Sequence, residues 1–112
     1  MANAFKTKTF DGSSTNANTD MTIYTCPAST ETTIIGLTIA NITTAQITVD
    51  VKFENNDGNN VFLIKDAPIP TGSAFVPIGG DQKIVMEASD VLKVRSDTAN
   101  SADTTLSILE IT

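Results

Sequence analysis

Residues 46–54 alternate strictly between polar and apolar side chains, and no other pattern in the chain restricts the fold as strongly. The segment reads QITVDVKFE. Its apolar members share one side: Ile47, Val49, Val51 and Phe53. Successive side chains of a strand point to opposite faces, so a period of two over nine residues predicts a β-strand with one buried and one wet face. The polar turn 55–60, which contains Asp57-Gly58, then predicts a hairpin whose partner is 61–66.

Short strand and turn signals of this kind continue along the whole chain. Further strands are predicted at 3–10, 21–26, 32–41, 73–78, 82–87, 91–96 and 104–111. The composition agrees, because 18 Thr, 12 Ile and 7 Val make up about a third of the 112 residues, and β-branched side chains suit pleated strands. About nine short strands without a helical period predict an all-β chain that folds as a single antiparallel β-sandwich of jelly-roll-like type.

Two segments carry additional signals. In 32–41, alternation groups Ile35 with Leu37 and Ile39, and the opposite side is also apolar or small. We therefore predict a central strand covered on both faces, with Gly36 marking a bulge or a close approach of another backbone. The segment 67–72 contains two prolines, which exclude a central strand and predict an edge or a crossover.

Composition excludes several classes of function. The chain has no His and one Cys, so a His-based catalytic or metal site is ruled out, and Cys26 lacks both a partner and a His base. We interpret Cys26 as a partly buried residue at a strand end. The formal charge of −6 opposes binding to nucleic acid, and no apolar run approaches the ~20 residues of a membrane helix. The N-terminal residues lack the apolar core of a secretory signal, which predicts synthesis in a reducing cytoplasm.

The remaining motifs have structural explanations. Loops 55–60 and 97–103 are rich in Asp and Asn, which could bind calcium, but they lack EF-hand spacing and these residues are common turn formers. Gly79-Gly80-Asp81 is interpreted as a tight turn rather than a phosphate site. The sequon at Asn41 needs secretion. Asp50 and Glu54, with Lys52 between them, form an ordinary solvated strand face. We predict no catalytic, cofactor-binding or metal residue and no enzyme activity.

Several segments together resemble a known group of proteins. They are MTIYT (21–25), IIGLTIAN (34–41), KDAPIPTG (65–72), GGDQK (79–83), VMEASDVLKV (85–94) and LSILEIT (106–112). In this order they resemble small virion structural proteins of tailed bacteriophages, especially marine and cyanobacterial phages. The resemblance covers about residues 20–112 and consists of strand and turn patterns.

The resemblance implies a non-enzymatic part of a phage particle. We expect a capsid decoration (cement) protein on the virion exterior that bridges neighbouring shell subunits. The alternative is a neck, collar or tail accessory component. The expected partners are the major capsid protein or neck and tail proteins, and other copies of the chain in a homo-oligomer such as a trimer. No cofactor, nucleic acid or membrane is expected as a partner.

The N-terminal segment is expected to take part in assembly. We divide the chain into residues 1–20, a strand or arm followed by a polar loop, and a β-sandwich domain at 21–112. In the arm, Phe5 and Phe10 flank Lys6 and Lys8. We predict that these four residues reach onto a neighbouring subunit and add a strand or apolar contacts there.

A second hypothesis is a module that binds host-surface carbohydrate through its loops. It requires an exposed aromatic side chain, and Tyr24 is the candidate. Phe53, Phe62 and Phe75 are instead predicted to lie in the core. An enzyme of the cupin type needs a His-rich metal site and is excluded by the absence of His.

Overall fold

A computed structural model describes residues 2–79 and 83–112. Within them the chain forms nine strands and a short 3-10 turn at Gly12–Ser14. The strands are β1 (Asn3–Phe10), β2 (Met21–Thr25), β3 (Glu31–Asn41), β4 (Ile47–Glu54), β5 (Asn60–Ile69), β6 (Ala74–Ile78), β7 (Ile84–Met86), β8 (Val91–Ser96) and β9 (Ala102–Ile111). None of the described residues forms a helix of the length and hydropathy that a membrane crossing requires.

The strands build two antiparallel sheets that pack face to face. The first sheet has the order β1-β9-β3-β6, and β7 also pairs with β3. The second sheet has the order β2-β8-β4-β5. This arrangement confirms the predicted antiparallel β-sandwich. β4 and β5 form the predicted hairpin, with Gly58 at a φ of 97° in its turn.

The core lies between the two sheets and is supplied by alternate residues. In β4 the buried residues alternate with half-buried outward residues along the whole strand, as the sequence predicts. Val49 and Val51 are 0% exposed, and β8 and β9 contribute the same kind of inward side chain. Apolar burial of this kind is the main favourable contribution to folding.

The alternation is interrupted in β3. The predictions that Ile35 shares a face with Leu37 and Ile39, and that both faces of the strand are covered, are wrong. The register with β9 shifts between Ile34 and Gly36, which is the bulge that the glycine predicts. Because of this shift Ile34, Leu37 and Ile39 are all buried, whereas Ile35 lies on the outer side. The second sheet covers one face of β3, and the outer face is not covered by any described part of the chain.

β5 also differs from its prediction. It extends through Pro68 to Ile69 as the edge strand of the second sheet, which confirms the edge but not the predicted end at residue 66. Phe53 is buried and Phe75 packs against the core, but Phe62 is 50% exposed, so its predicted core position is wrong. Its partner in register is the outward-facing Lys52, and Phe62 therefore lies on the outer face. The predicted turn at 79–81 lies partly outside the described residues.

Candidate assembly surfaces

The residues predicted to form an assembly arm lie in β1, at the edge of the first sheet. β1 pairs with β9 in a continuous register from Asn3 opposite Ile111 to Phe10 opposite Thr104. The partners of the even-numbered β1 residues face the core, so Lys6, Lys8 and Phe10 point inward. Phe5 points outward and is 77% exposed. A contact between these residues and a neighbouring subunit stays a prediction.

A carboxylate at the end of the core holds β1 in place. Glu110 of β9 is buried, and its Oε1 lies 2.7 Å from Lys6 Nζ. Its other oxygen accepts a hydrogen bond from the Tyr24 hydroxyl, which in turn lies 2.8 Å from Thr32 Oγ1. The hydrogen bonds from Lys6 and then from Tyr24 lower the pKa of Glu110. Glu110 was not predicted from the sequence, although a lone acid on the otherwise uncharged inward side of β9 was a signal.

Tyr24 belongs to the core, and its predicted outward position is wrong. The register between β2 and β8 shifts between Thr22 and Tyr24, so the bulge turns both Ile23 and Tyr24 inward. Tyr24 is only 5% exposed. Burial and the neighbouring Glu110 carboxylate raise the pKa of Tyr24 well above its usual value. The side chain is therefore unavailable as a platform for carbohydrate.

The outer face of the second sheet carries a lattice of ion pairs. We call it the ion lattice, and its members are Asp20, Asp50, Lys52, Glu54, Lys65, Lys93 and Arg95. Asp20, in the loop before β2, binds both Lys52 Nζ at 3.2 Å and Arg95 Nε at 2.9 Å. Burial acts to raise the pKa of Asp20, but these two cations outweigh it and lower that pKa.

The ion lattice also solves an electrostatic problem in this sheet. Lys52 of β4 and Lys93 of β8 lie directly opposite each other, and like charges in that position are destabilising. Glu54 lies between them, 3.4 Å from Lys52 Nζ and 3.0 Å from Lys93 Nζ. Lys93 and then Lys52 lower the pKa of Glu54, so it stays ionised. This face presents three carboxylates and four cations to water, in agreement with the predicted solvated face.

The outer face of the first sheet has the opposite character. Register places Phe5, Leu109, Thr33 and Val85 side by side across four strands, and we call these four residues the neutral row. Phe5 and Val85 are strongly exposed. On the outer face of the described strands of this sheet, charge is limited to Glu31 and Asp103 near the margins. This face offers apolar and hydroxyl groups with few charges to desolvate.

Two further polar residues considered as sites, Cys26 and Asn41, make buried hydrogen bonds that stabilise the fold. Cys26 is 1% exposed, and its Sγ lies 3.3 Å from both the Thr30 carbonyl and Thr32 Oγ1. Asn41 is buried and donates its amide to the carbonyls of Ala45 and Ile69. Within residues 2–79 and 83–112, no group of three acidic or cysteine side chains could hold a metal ion.

An open cavity of about 630 Å³ lies at one end of the sandwich, between the β4–β5 turn and the β7–β8 turn. Its buried carboxylate, Asp90, accepts hydrogen bonds from the backbone N–H groups of Asn56 and Glu87. Both oxygens of Asp90 are thereby used to join the two turns. The arrangement explains this residue as a structural link.

Comparison with known proteins gives similarity of fold only. No protein-family model and no curated protein sequence matches the chain. A solved structure of Bacillus endospore appendages, described as disulfide-linked pili, is similar with a TM-score of 0.54 and 14% identity over 97% of this chain and 84% of that one. The acid-stable capsid of Helicobacter pylori bacteriophage KHP30 is similar with a TM-score of 0.54 and 12% identity over 98% and 87%.

Proposed function

We propose that this chain is a non-enzymatic structural protein of a bacteriophage particle, and that it decorates and stabilises the capsid shell from outside. The observation that carries the proposal is the contrast between the two outer sheet faces. The neutral row suits a contact that excludes water. Such a contact would bury the exposed apolar surface of Phe5 and Val85, and it would leave no buried charge unpaired. The ion lattice suits a face that stays in water.

The mechanism is mechanical. Each chain lies with the neutral row against the shell and bridges neighbouring capsid subunits, while the ion lattice faces the solvent. Phe5, the outward-facing member of the arm residues, and the open edge of β1 extend this contact onto a neighbour. Each contact needs only modest affinity, because many linked copies bind the shell together. The fold similarity to a phage capsid protein agrees with such a role, and the resemblance in sequence motifs supports it.

Two other assignments have less support. A disulfide-linked filament would need an accessible thiol, and the single cysteine, Cys26, is buried. Carbohydrate binding through the loops would need a free aromatic face beside them. Phe5 is exposed but lies within β1, and Phe62 is exposed on β5. However, Lys65 Nζ lies 5.0 Å from the centre of the Phe62 ring, and the adjoining cavity of about 70 Å³ is too small for a sugar ring.

Copy number in purified phage particles tests the proposal. Quantitative mass spectrometry of particles that contain this chain should give hundreds of copies for each particle if it decorates the shell. A dozen copies or fewer for each particle would indicate a neck, collar or tail component instead of a decoration protein. Complete absence from purified particles would overturn the assignment as a virion protein.

A further inference from the structure

We propose that β1 is a pairing edge for β1 of a second copy of this chain, in an antiparallel two-fold contact centred on Phe5. The inference rests on the proposed role as an assembling subunit and names the partner of the arm. It joins the two first sheets edge to edge and makes their neutral rows continuous.

The other sheet edges in the described residues are protected against such pairing. β5 has register shifts, contains Pro68 and holds Asp66 at a φ of 55°. β2 and β6 are five residues long and irregular, and β7 has three residues. Bulges, prolines and short length are the usual means of blocking edge-to-edge association. β1 has eight residues, a continuous register and no proline or bulge, and its inward lysines, Lys6 and Lys8, restrict the registers that a partner strand can adopt.

The free backbone groups of β1 can be assigned from its hydrogen-bond pattern. Ala2 and Thr112 exchange both of their N–H to carbonyl bonds. Bonded and non-bonded pairs alternate along an antiparallel ladder, so the even-numbered residues of β1 bond to β9. Asn3, Phe5, Thr7 and Thr9 therefore direct their N–H and carbonyl groups toward the open edge. Their side chains are also the ones on the outer face.

Electrostatics and the length of the pairing together select one register for two copies of β1. A two-fold axis at Lys6 would place Lys6 opposite its own copy, and an axis at Thr7 would place Lys6 opposite Lys8. Like charges directly opposite each other are destabilising. An axis at Phe5 avoids both pairs, because Lys6 then lies opposite Ala4. Axes at Ala4 or Thr9 avoid them too, but they pair only three residues of the strand, whereas the Phe5 axis pairs residues 3–7. A shift by one residue would pair outward with inward side chains and break the common face.

The Phe5 register also accounts for the exposure of this side chain. The two Phe5 rings become directly opposed neighbours on the outer face, and aromatic cross-strand pairs are favourable. Asn3 of each copy pairs with Thr7 of the other. Lys6 keeps its Glu110 partner in its own chain, because it lies on the inner face. The contact is short, so we expect a dimer that forms reversibly with concentration.

Cysteine cross-linking tests the register. Residues in a hydrogen-bonded antiparallel pair have Cα atoms about 5.5 Å apart, which a disulfide can span. Phe5→Cys should form a disulfide-linked dimer under mild oxidation, because residue 5 lies opposite residue 5. Thr7→Cys is the matched control, since its two copies lie about 14 Å apart in this register. Cross-linking of Thr7→Cys instead of Phe5→Cys, or of neither variant, would overturn the proposed contact.

A proline at the same edge tests the backbone pairing. Thr7→Pro removes an N–H that β9 does not use, whereas Thr7→Val keeps that N–H. Sedimentation velocity should show dimerisation of Thr7→Pro to be weaker than that of Thr7→Val by about tenfold or more, because two hydrogen bonds are lost in each dimer. Equal dimerisation of the two folded variants would contradict the inference. The particle copy number is independent of this result, so failure of the dimer is distinguishable from failure of the proposed function.

Discussion

The two sheets share one core but differ sharply on their outer faces. The second sheet carries the ion lattice, in which each carboxylate of the central strands lies near a cation and Glu54 separates two opposed lysines. The first sheet carries the neutral row, and its own pair of opposite charges, Lys6 and Glu110, is turned inward. The charges of the second sheet thus keep its outer face solvated, whereas the Lys6–Glu110 pair of the first sheet holds the edge strand β1 against β9.

This difference shows how a small acidic chain can remain folded and still offer a surface for assembly. A face that is fully satisfied by its own ion pairs gains little from a partner. A face of apolar and hydroxyl groups costs little to desolvate and gains from burial. The same contrast ranks the expected effects of substitutions.

The largest effect on stability is expected when a charge is placed on the inner rather than the outer side of β4. Val49→Asp should unfold the domain, because a charge at this fully buried position costs several kcal/mol against a total stability of about 5–15 kcal/mol. Thr48→Asp, on the outer side of the same strand, should leave a folded protein. Circular dichroism with thermal unfolding checks both variants. A cooperative native transition in Val49→Asp would refute the assignment of this face to the core.

A smaller loss is expected at the link between β1 and the sandwich. A Cβ on Gly12 would lie 1.7 Å from the Ala102 carbonyl oxygen, so Gly12→Ala forces the backbone to move. We expect a cost of about 2–4 kcal/mol in the free energy of unfolding. Gly36→Ala is the control, because its nearest contact would be 3.7 Å. Urea denaturation should separate the two variants, and equal stability would contradict the close approach.

The inward ion pair should give an effect that depends on pH. Lys6→Met removes the hydrogen bond that contributes most to lowering the pKa of Glu110, and should cost about 1–2 kcal/mol at neutral pH. A carboxylate with a lowered folded pKa stabilises the protein above its unfolded pKa, and this contribution is lost as the pH falls through the folded pKa. The difference between wild type and Lys6→Met should therefore shrink as the pH falls below the unfolded pKa of Glu110 and through its lowered folded pKa. A difference that is constant with pH would show that Lys6 contributes by packing alone.

The ion lattice should give the smallest effect. Lys52→Met leaves Asp20 with Arg95 and leaves Glu54 with Lys93, so we expect a loss of about 0.5–1 kcal/mol. Salt near 1 M reduces the Debye length to about 3 Å and should remove most of this loss. Denaturation at low and high salt measures the change. A loss larger than that of Lys6→Met would reverse the proposed ranking of the two charged clusters.

The sequence predicts the parts of this molecule that follow from regular alternation. β4 and β8 are found at or within one residue of their predicted bounds, because each has one apolar and one polar side. The errors occur at bulges. One extra residue in β2 turns Tyr24 inward, and one in β3 moves Ile35 outward. A bulge changes the face of every later side chain, and the pattern alone does not locate it in β2.

The candidate surfaces were harder to predict for a related reason. The neutral row joins residues from β1, β9, β3 and β7, which are far apart in sequence and meet only through strand pairing. The sequence led us to predict an assembly role for Phe5 but not for its neighbours Leu109 and Val85, and that role stays a prediction. The ion lattice was partly visible, since Asp50, Lys52 and Glu54 share one strand. Its loop member Asp20 depended on tertiary contacts.

The most direct test of the account places a charge on each outer face in turn. Thr33→Lys puts a cation in the centre of the neutral row, and Thr48→Lys puts the same cation on the face of the ion lattice. Both positions are half-buried threonines at outward sites. The measurement is the amount of each variant bound to purified phage particles, with folding verified beforehand. We expect Thr33→Lys binding to fall by about tenfold or more, while Thr48→Lys binds as wild type does. Normal binding of Thr33→Lys together with loss of Thr48→Lys binding would contradict this expectation.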